Sequence, residues 1–171
     1  IELLASSIGS EWQSLSGSDM PNSEFSWDEV VVLTSAACLR VGVEIEELDF
    51  EGFEDEYARI SVTALPVERV RSSHLNPYFH GSHEDVQEVW LARDSLTARL
   101  EVGVEYEYRA DVCVAFRLQS LWIALGLRSH RAGALFISRA ASKADLDLPN
   151  LAERWPSSLV ETYEYKRSWV Q

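Results

Sequence analysis

From Leu96 to Leu118 every even-numbered residue is apolar: Leu96, Ala98, Leu100, Val102, Val104, Tyr106, Tyr108, Ala110, Val112, Val114, Phe116 and Leu118. Seven of the eleven odd positions between them are charged. Only an extended backbone places side chains on alternate sides with a period of two. The pattern therefore predicts β structure, with one face toward a core and the other toward water or a polar partner. It specifies architecture and carries no chemistry.

The length of the pattern raises a geometric problem. Twenty-three residues at about 3.3 Å each would run roughly 75 Å, whereas a compact chain of this size is on the order of 40 Å across. The strand must bend around a curved sheet, conceal a hairpin, or project as an arm to another subunit. Across a two-residue hairpin loop the apolar positions would switch from even to odd numbers, and they do not. A hairpin would need an odd-length loop with a left-handed glycine, and Gly103 is the only glycine available, between two valines that suit a turn poorly. The reading favours one long curved strand or arm, with Gly103 as a bend.

The flanking sequence supplies both strands and helices. Leu4, Ile8, Trp12 and Leu15 form one helical stripe within residues 1–15, before the Ser/Gly/Pro/Asn-rich segment Ser16–Ser23. Ser26 and Glu29 have capping-box spacing, which predicts a helix from about Trp27 to Arg40, although the Val30-Val31-Val32 run favours a strand instead. Strands are expected at Val41–Ile45, Tyr57–Ala64, Val86–Arg93 and Leu159–Val170, and a loop at Arg71–Ser82. Helical candidates are Gln119–Leu127 and Ala134–Ala144, with a short turn at Asn150–Trp155. The fold class read from these elements is α+β: an antiparallel, strongly curved sheet with one long strand over about 96–118, covered on one face by helices, in a single domain spanning 1–171.

Charge narrows the partners. A formal net charge of −13 opposes a phosphate backbone and an anionic bilayer, so neither direct nucleic-acid binding nor membrane binding is expected. A basic protein, or a basic patch on a second copy of the chain, is favoured. From Val43 to Tyr57 there are eight acids and no base, whereas from Leu127 to Lys143 there are four bases and no acid. Unlike patches on one chain permit head-to-tail association, and aromatic side chains within the acidic run would supply interface anchors. The candidate interface residues are accordingly Glu44, Glu46, Glu47, Asp49, Phe50 and Phe53 on the acidic side and Arg128, Arg131 and Arg139 on the basic side. Pairing of the two segments within one molecule is the plainer alternative.

No motif supplies a reaction. The densest group of potential ligands is His74, His80 and His83 with Asn76, Glu84 and Asp85, but its spacing fits no metal motif and no nucleophile or oxyanion loop accompanies it. The acidic run lacks the order of a calcium loop, and Glu105, Glu107, Arg109 and Asp111 read as cross-strand salt bridging. Cys38 and Cys113 form no ladder or zinc spacing. No cofactor and no metal is expected. With no signal peptide or spanning segment in view, a cytoplasmic or other intracellular setting is expected. The chain begins at Ile1 without an initiator methionine, as a processed product or an excised domain does.

The functional expectation is a non-enzymatic protein-binding or assembly module, such as a subunit of a homo-oligomeric ring or larger particle. Two alternatives stand beside it. One is a curved sheet or barrel enclosing a small apolar ligand, lined by Tyr106, Tyr108, Phe116 and Trp122. The other is an acidic inhibitor that mimics nucleic acid or neutralises a toxin through Glu44–Glu56.

Overall fold

The computed structural model describes residues 2–17, 25–26, 29–50, 53–66, 76–80, 83–100, 103, 105–128, 134–148 and 160–171. Among these residues the backbone is almost wholly antiparallel strand. The strands are β1 (Trp12–Gly17), β2 (Phe25–Ser26), β3 (Glu29–Thr34), β4 (Cys38–Phe50), β5 (Phe53–Ala64), β6 (Asn76–His80), β7 (Glu88–Leu100), β8 (Glu105–Arg117), β9 (Trp122–Leu127), β10 (Leu135–Ala140) and β11 (Val160–Val170). Among the described residues helical geometry is confined to α1 (Glu2–Ala5) and a 3-10 turn at Lys143–Asp145. A five-stranded sheet runs β5-β4-β3-β1-β6 and a six-stranded sheet runs β11-β7-β8-β9-β10-β2. One hydrophobic cluster draws side chains from both, including Trp12, Leu15, Val32, Leu39 and Tyr57 from the first and Leu91, Val114, Phe116, Ile123 and Leu125 from the second.

The α+β expectation is thereby corrected, because no helix covers a sheet face among the described residues. The stripe through Leu4, Ile8, Trp12 and Leu15 is divided among α1, the turn after it and β1. Trp27–Arg40 contains β3 and the start of β4, so the stiff side chains of Val30, Val31 and Val32 prevail over the capping signal, and all three are buried. The segments Gln119–Leu127 and Ala134–Ala144 hold β9 and β10. Every residue of β9 is buried. A strand covered on both faces loses its alternation and reads as a plain apolar run, which sequence cannot separate from a short helix. The turn expected at Asn150–Trp155 lies outside the described residues.

The single long strand is corrected as well. Its first residues, Leu96–Leu100, end β7 and Glu105–Arg117 form β8, and the two strands fold back on each other in register from Arg99 opposite Glu105 to Glu88 opposite Arg117. Facing residues next to the loop differ by an even number, so the loop has odd length, and Gly103 within it adopts φ +84°. Parity had reserved a hairpin for that loop length and that glycine, and this is the one formed.

The register shifts once, between Ala92 opposite Cys113 and Arg93 opposite Asp111, which leaves Val112 as a bulge in β8. Its consequence is large. β7 pairs with β11 without a break from Leu91 to Ala98, so Leu91 and Leu96, five residues apart, lie on opposite faces. Leu91 stands opposite Val114 and Leu96 opposite Tyr108. Val114 and Tyr108 are therefore also on opposite faces, and the unbroken run of even apolar residues is divided between the two surfaces of the sheet. Both halves still reach the five-stranded sheet. Phe116, on the Val114 side, meets Trp12 edge-on at 5.3 Å between centroids, and Tyr108 packs on Tyr57 at 4.3 Å and donates a hydrogen bond to the Ala58 carbonyl at 3.1 Å.

Candidate functional site

The β4–β5 hairpin carries the acidic run. Its register places Glu44 opposite Arg59, Glu47 opposite Glu56 and Asp49 opposite Glu54, and ends with Phe50 opposite Phe53. Like charges directly opposite one another disfavour strand pairing, and toward the tip the register sets acid opposite acid. Nearer the body Arg59 offsets part of this, with its guanidinium 3.1 Å from Glu44 and 3.6 Å from Glu46. Glu44, Glu46 and Glu47 are exposed, and Ile45 among them is 53% exposed, one of two large exposed apolar side chains among the described residues.

The basic candidates sit on the other sheet. Arg139 is an exposed residue of β10, and Arg128 follows β9, its amide donating to the Ala134 carbonyl at 3.0 Å. Arg131 lies outside the described residues. The described acidic candidates and Arg139 thus belong to different sheets.

Of the histidines in the ligand group, only His83 has a described side chain. His74 lies outside the described residues, and His80 and Asn76 belong to β6. His83, at φ 57°, contacts the Glu11 carboxylate through Nδ1. Glu84 accepts from the Ser120 amide and hydroxyl, both at 2.6 Å, and Asp85 bridges to Glu11 through the backbone. Those bonds clamp loops together. Among the described residues no group of three or more His, Cys, Asp and Glu side chains is placed to hold a metal ion. Asp111 pairs with Arg93 directly across the ladder at 2.8 Å and Glu107 with Arg109 at 2.6 Å, which accounts for two of the carboxylates on β8. The proposed ligand lining also separates, since register puts Tyr108 and Phe116 on opposite faces.

Two clusters went unseen in the sequence. In the first, the Asp94 carboxylate, 1% exposed, receives Arg167 Nε at 2.7 Å, a second guanidinium nitrogen at 2.9 Å and the Tyr165 hydroxyl at 2.8 Å. Burial works against the Arg167 charge, but the hydrogen bond and attraction from Asp94 outweigh it and hold the guanidinium above its ordinary range. Cys113 lies beside this pair, and burial pushes its thiol up to about 12. In the second cluster, the Lys143 ammonium sits over Trp90, with Trp122 and Trp169 around it. Apart from Lys143, which stands on the 3-10 turn, the members of each cluster come from strands far apart in sequence, so no local spacing marks them. Register brings those strand residues to one face.

Among the described residues no helix is long and apolar enough to cross a membrane. No family model, curated protein or solved structure matches the chain.

Proposed function

We propose that this chain is a non-enzymatic protein-binding module whose acidic β4–β5 hairpin docks a basic partner polypeptide. The observation that carries this reading is the hairpin's register, which sets acid opposite acid at Glu47 and Glu56 and again at Asp49 and Glu54. A cationic partner relieves that repulsion, so binding gains from a term the free hairpin suffers. The exposed Ile45 shares its strand face with the exposed Glu47 and offers an apolar contact beside that charge.

An oligo-arginine peptide serves as the probe, titrated at low and at high salt. Binding weakens with salt and is lost when Glu44, Glu46 and Glu47 are all changed to Lys. A second variant reverses Glu105, Glu107 and Glu164, exposed acids of the other sheet, and keeps the binding. Equal loss in both variants would reduce the effect to net charge and overturn the reading. Native mass at both salt concentrations reports whether a second copy of the chain is the basic partner, as in a ring or larger particle.

A further inference from the structure

Three tryptophans from three strands enclose one ammonium group. Lys143 Nζ lies 3.6 Å from the ring centroid of Trp90 on β7, 5.3 Å from that of Trp169 on β11 and 5.8 Å from that of Trp122 on β9. Each distance falls within the roughly 6 Å over which the negative face of an aromatic ring attracts a cation. Register explains the recess. Trp90 stands opposite Ala115, Ala115 opposite Ala124, and Trp169 opposite Ala92. These three alanines are fully buried, so the surface between the indoles is floored by methyl groups.

A carboxylate borders the recess. Glu88 accepts a hydrogen bond from Trp90 Nε1 at 2.8 Å and pairs with Arg117. The Trp90 bond, the Arg117 bond and a smaller contribution from the Lys143 charge hold its carboxyl below the usual range, so it is anionic at neutral pH. Aromatic faces with an adjacent anion are the general means by which proteins recognise quaternary ammonium groups.

Lys143 enters this recess from a short turn that is tethered independently of it. Leu146 is buried, the Asp147 amide donates to Ser138 Oγ at 3.0 Å, and Ser142 Oγ donates to Asp145 at 2.6 Å. The ammonium can therefore leave by rotation of its flexible four-carbon stem while the turn stays in place. A primary ammonium is strongly hydrated and gives up that hydration to stay in the recess. A methylated ammonium loses less water and fills the space between three indoles more completely.

The geometry points to the Trp90–Trp122–Trp169 recess as a binding site for an alkylammonium head group, a quaternary one above all, with Lys143 holding the ligand's place in the unliganded chain. The site lies on the six-stranded sheet and is independent of the acidic hairpin of the other sheet.

Tetramethylammonium is the test ligand, with sodium at equal ionic strength as the control, read by tryptophan fluorescence and calorimetry. Lys143→Ala is expected to bind it saturably and about tenfold more tightly than the wild-type chain, since the competing ammonium is gone. A folded Lys143→Ala variant with no saturable binding overturns the proposal and leaves Lys143 as a structural latch. The wild-type chain gives a second readout that needs no variant. Lys143 and Lys166 are its only lysines, and Lys166 is exposed. Tetramethylammonium is expected to raise amine acylation at Lys143 relative to Lys166, and an unchanged ratio at saturating ligand counts against the site. Choline and a trimethyl-lysine peptide then distinguish a free small molecule from a methylated polypeptide as the source of the head group.

Discussion

Asp94 on β7 and Arg167 on β11 stand directly opposite each other in the ladder and close a two-point pair at 2.7 Å and 2.9 Å. The carboxylate is 1% exposed and the guanidinium side chain 19%. A pair this deep is weak evidence of net stabilisation, because desolvating both charges offsets much of their attraction. Its severing is another matter.

Asp94→Ala leaves the part-buried Arg167 without this carboxylate and removes an acceptor of the Tyr165 hydroxyl. The expected loss is about 3–5 kcal/mol in urea unfolding. Replacing Asp94 and Arg167 together by Leu and Met is expected to lose much less, because no charge is stranded. A double variant as unstable as Asp94→Ala would show that the cost lies in packing and not in the charge.

Gly103 has φ +84° and open space around the position where a Cβ would stand. Substitution therefore meets backbone strain without a clash. Gly103→Ala is expected to destabilise the chain by about 1–2 kcal/mol, and Gly103→Asn by less, since Asn tolerates the left-handed region. Thermal or denaturant unfolding of the two variants checks the order.

Gly126 poses the opposite case. A Cβ there would run into Cε1 of Phe136, its partner across the β9–β10 ladder. Gly126→Ala is expected to cost about 1–3 kcal/mol through overpacking. Gly126→Ala combined with Phe136→Leu is expected to recover part of that loss, as measured by denaturant midpoint.

Cys113 links stability to alkaline pH. Burial raises its thiol from 9.0 to about 12, so between those values the unfolded chain loses the proton and the native chain keeps it. The native state then binds more protons, and stability falls with rising pH by up to about 1.4 kcal/mol per unit. The contribution is whole below pH 9.0 and lost as pH passes about 12. Cys113→Ala is expected to flatten this slope relative to the wild-type chain, and equal slopes from pH 9 to pH 11 would rule the linkage out. At neutral pH both Cys113 and the buried Cys38 are expected to react with a thiol reagent only on unfolding.

Arg59 is the cation paired with Glu44 and Glu46, yet all three side chains are about half exposed. Solvent screening limits what its removal can cost. Arg59→Gln is expected to lose about 0.5–1 kcal/mol at low salt and nearly nothing at high salt. A loss that persists at high salt would point to packing of the arginine stem.

Much of the β content was legible locally. The strand signals at Val41–Ile45 and Tyr57–Ala64 fall within β4 and β5, the closing signal at Leu159–Val170 overlaps β11, and the alternation over Leu96–Leu118 covers the end of β7 and all of β8, joined by a turn and not continuous as expected. The valine run at Val30–Val32 also announced its strand, against a capping signal that favoured helix. Where β9 is buried on both sides, the period that distinguishes strand from helix vanishes, and the sequence became ambiguous for that reason. The acidic hairpin was visible as a run of charge, but the opposition of Glu47 to Glu56 was not, because register is a pairing property.

By itself the chain determined which residues are apolar, where several of the strands lie, and that any hairpin at Gly103 would need a loop of odd length. These follow from side-chain size, β-branching and parity, all properties of neighbours along the backbone. Tertiary structure decided which face each side chain occupies. One unpaired residue, Val112, divides the even positions between two surfaces. A one-residue slip in a period-two pattern inverts every side chain beyond it, and only contact between strands determines where that slip occurs. The Asp94–Arg167 pair and the tryptophan recess around Lys143 rest on the same cause. Each joins residues distant in sequence, and their proximity is set by the stacking of β11, β7, β8 and β9 in one sheet.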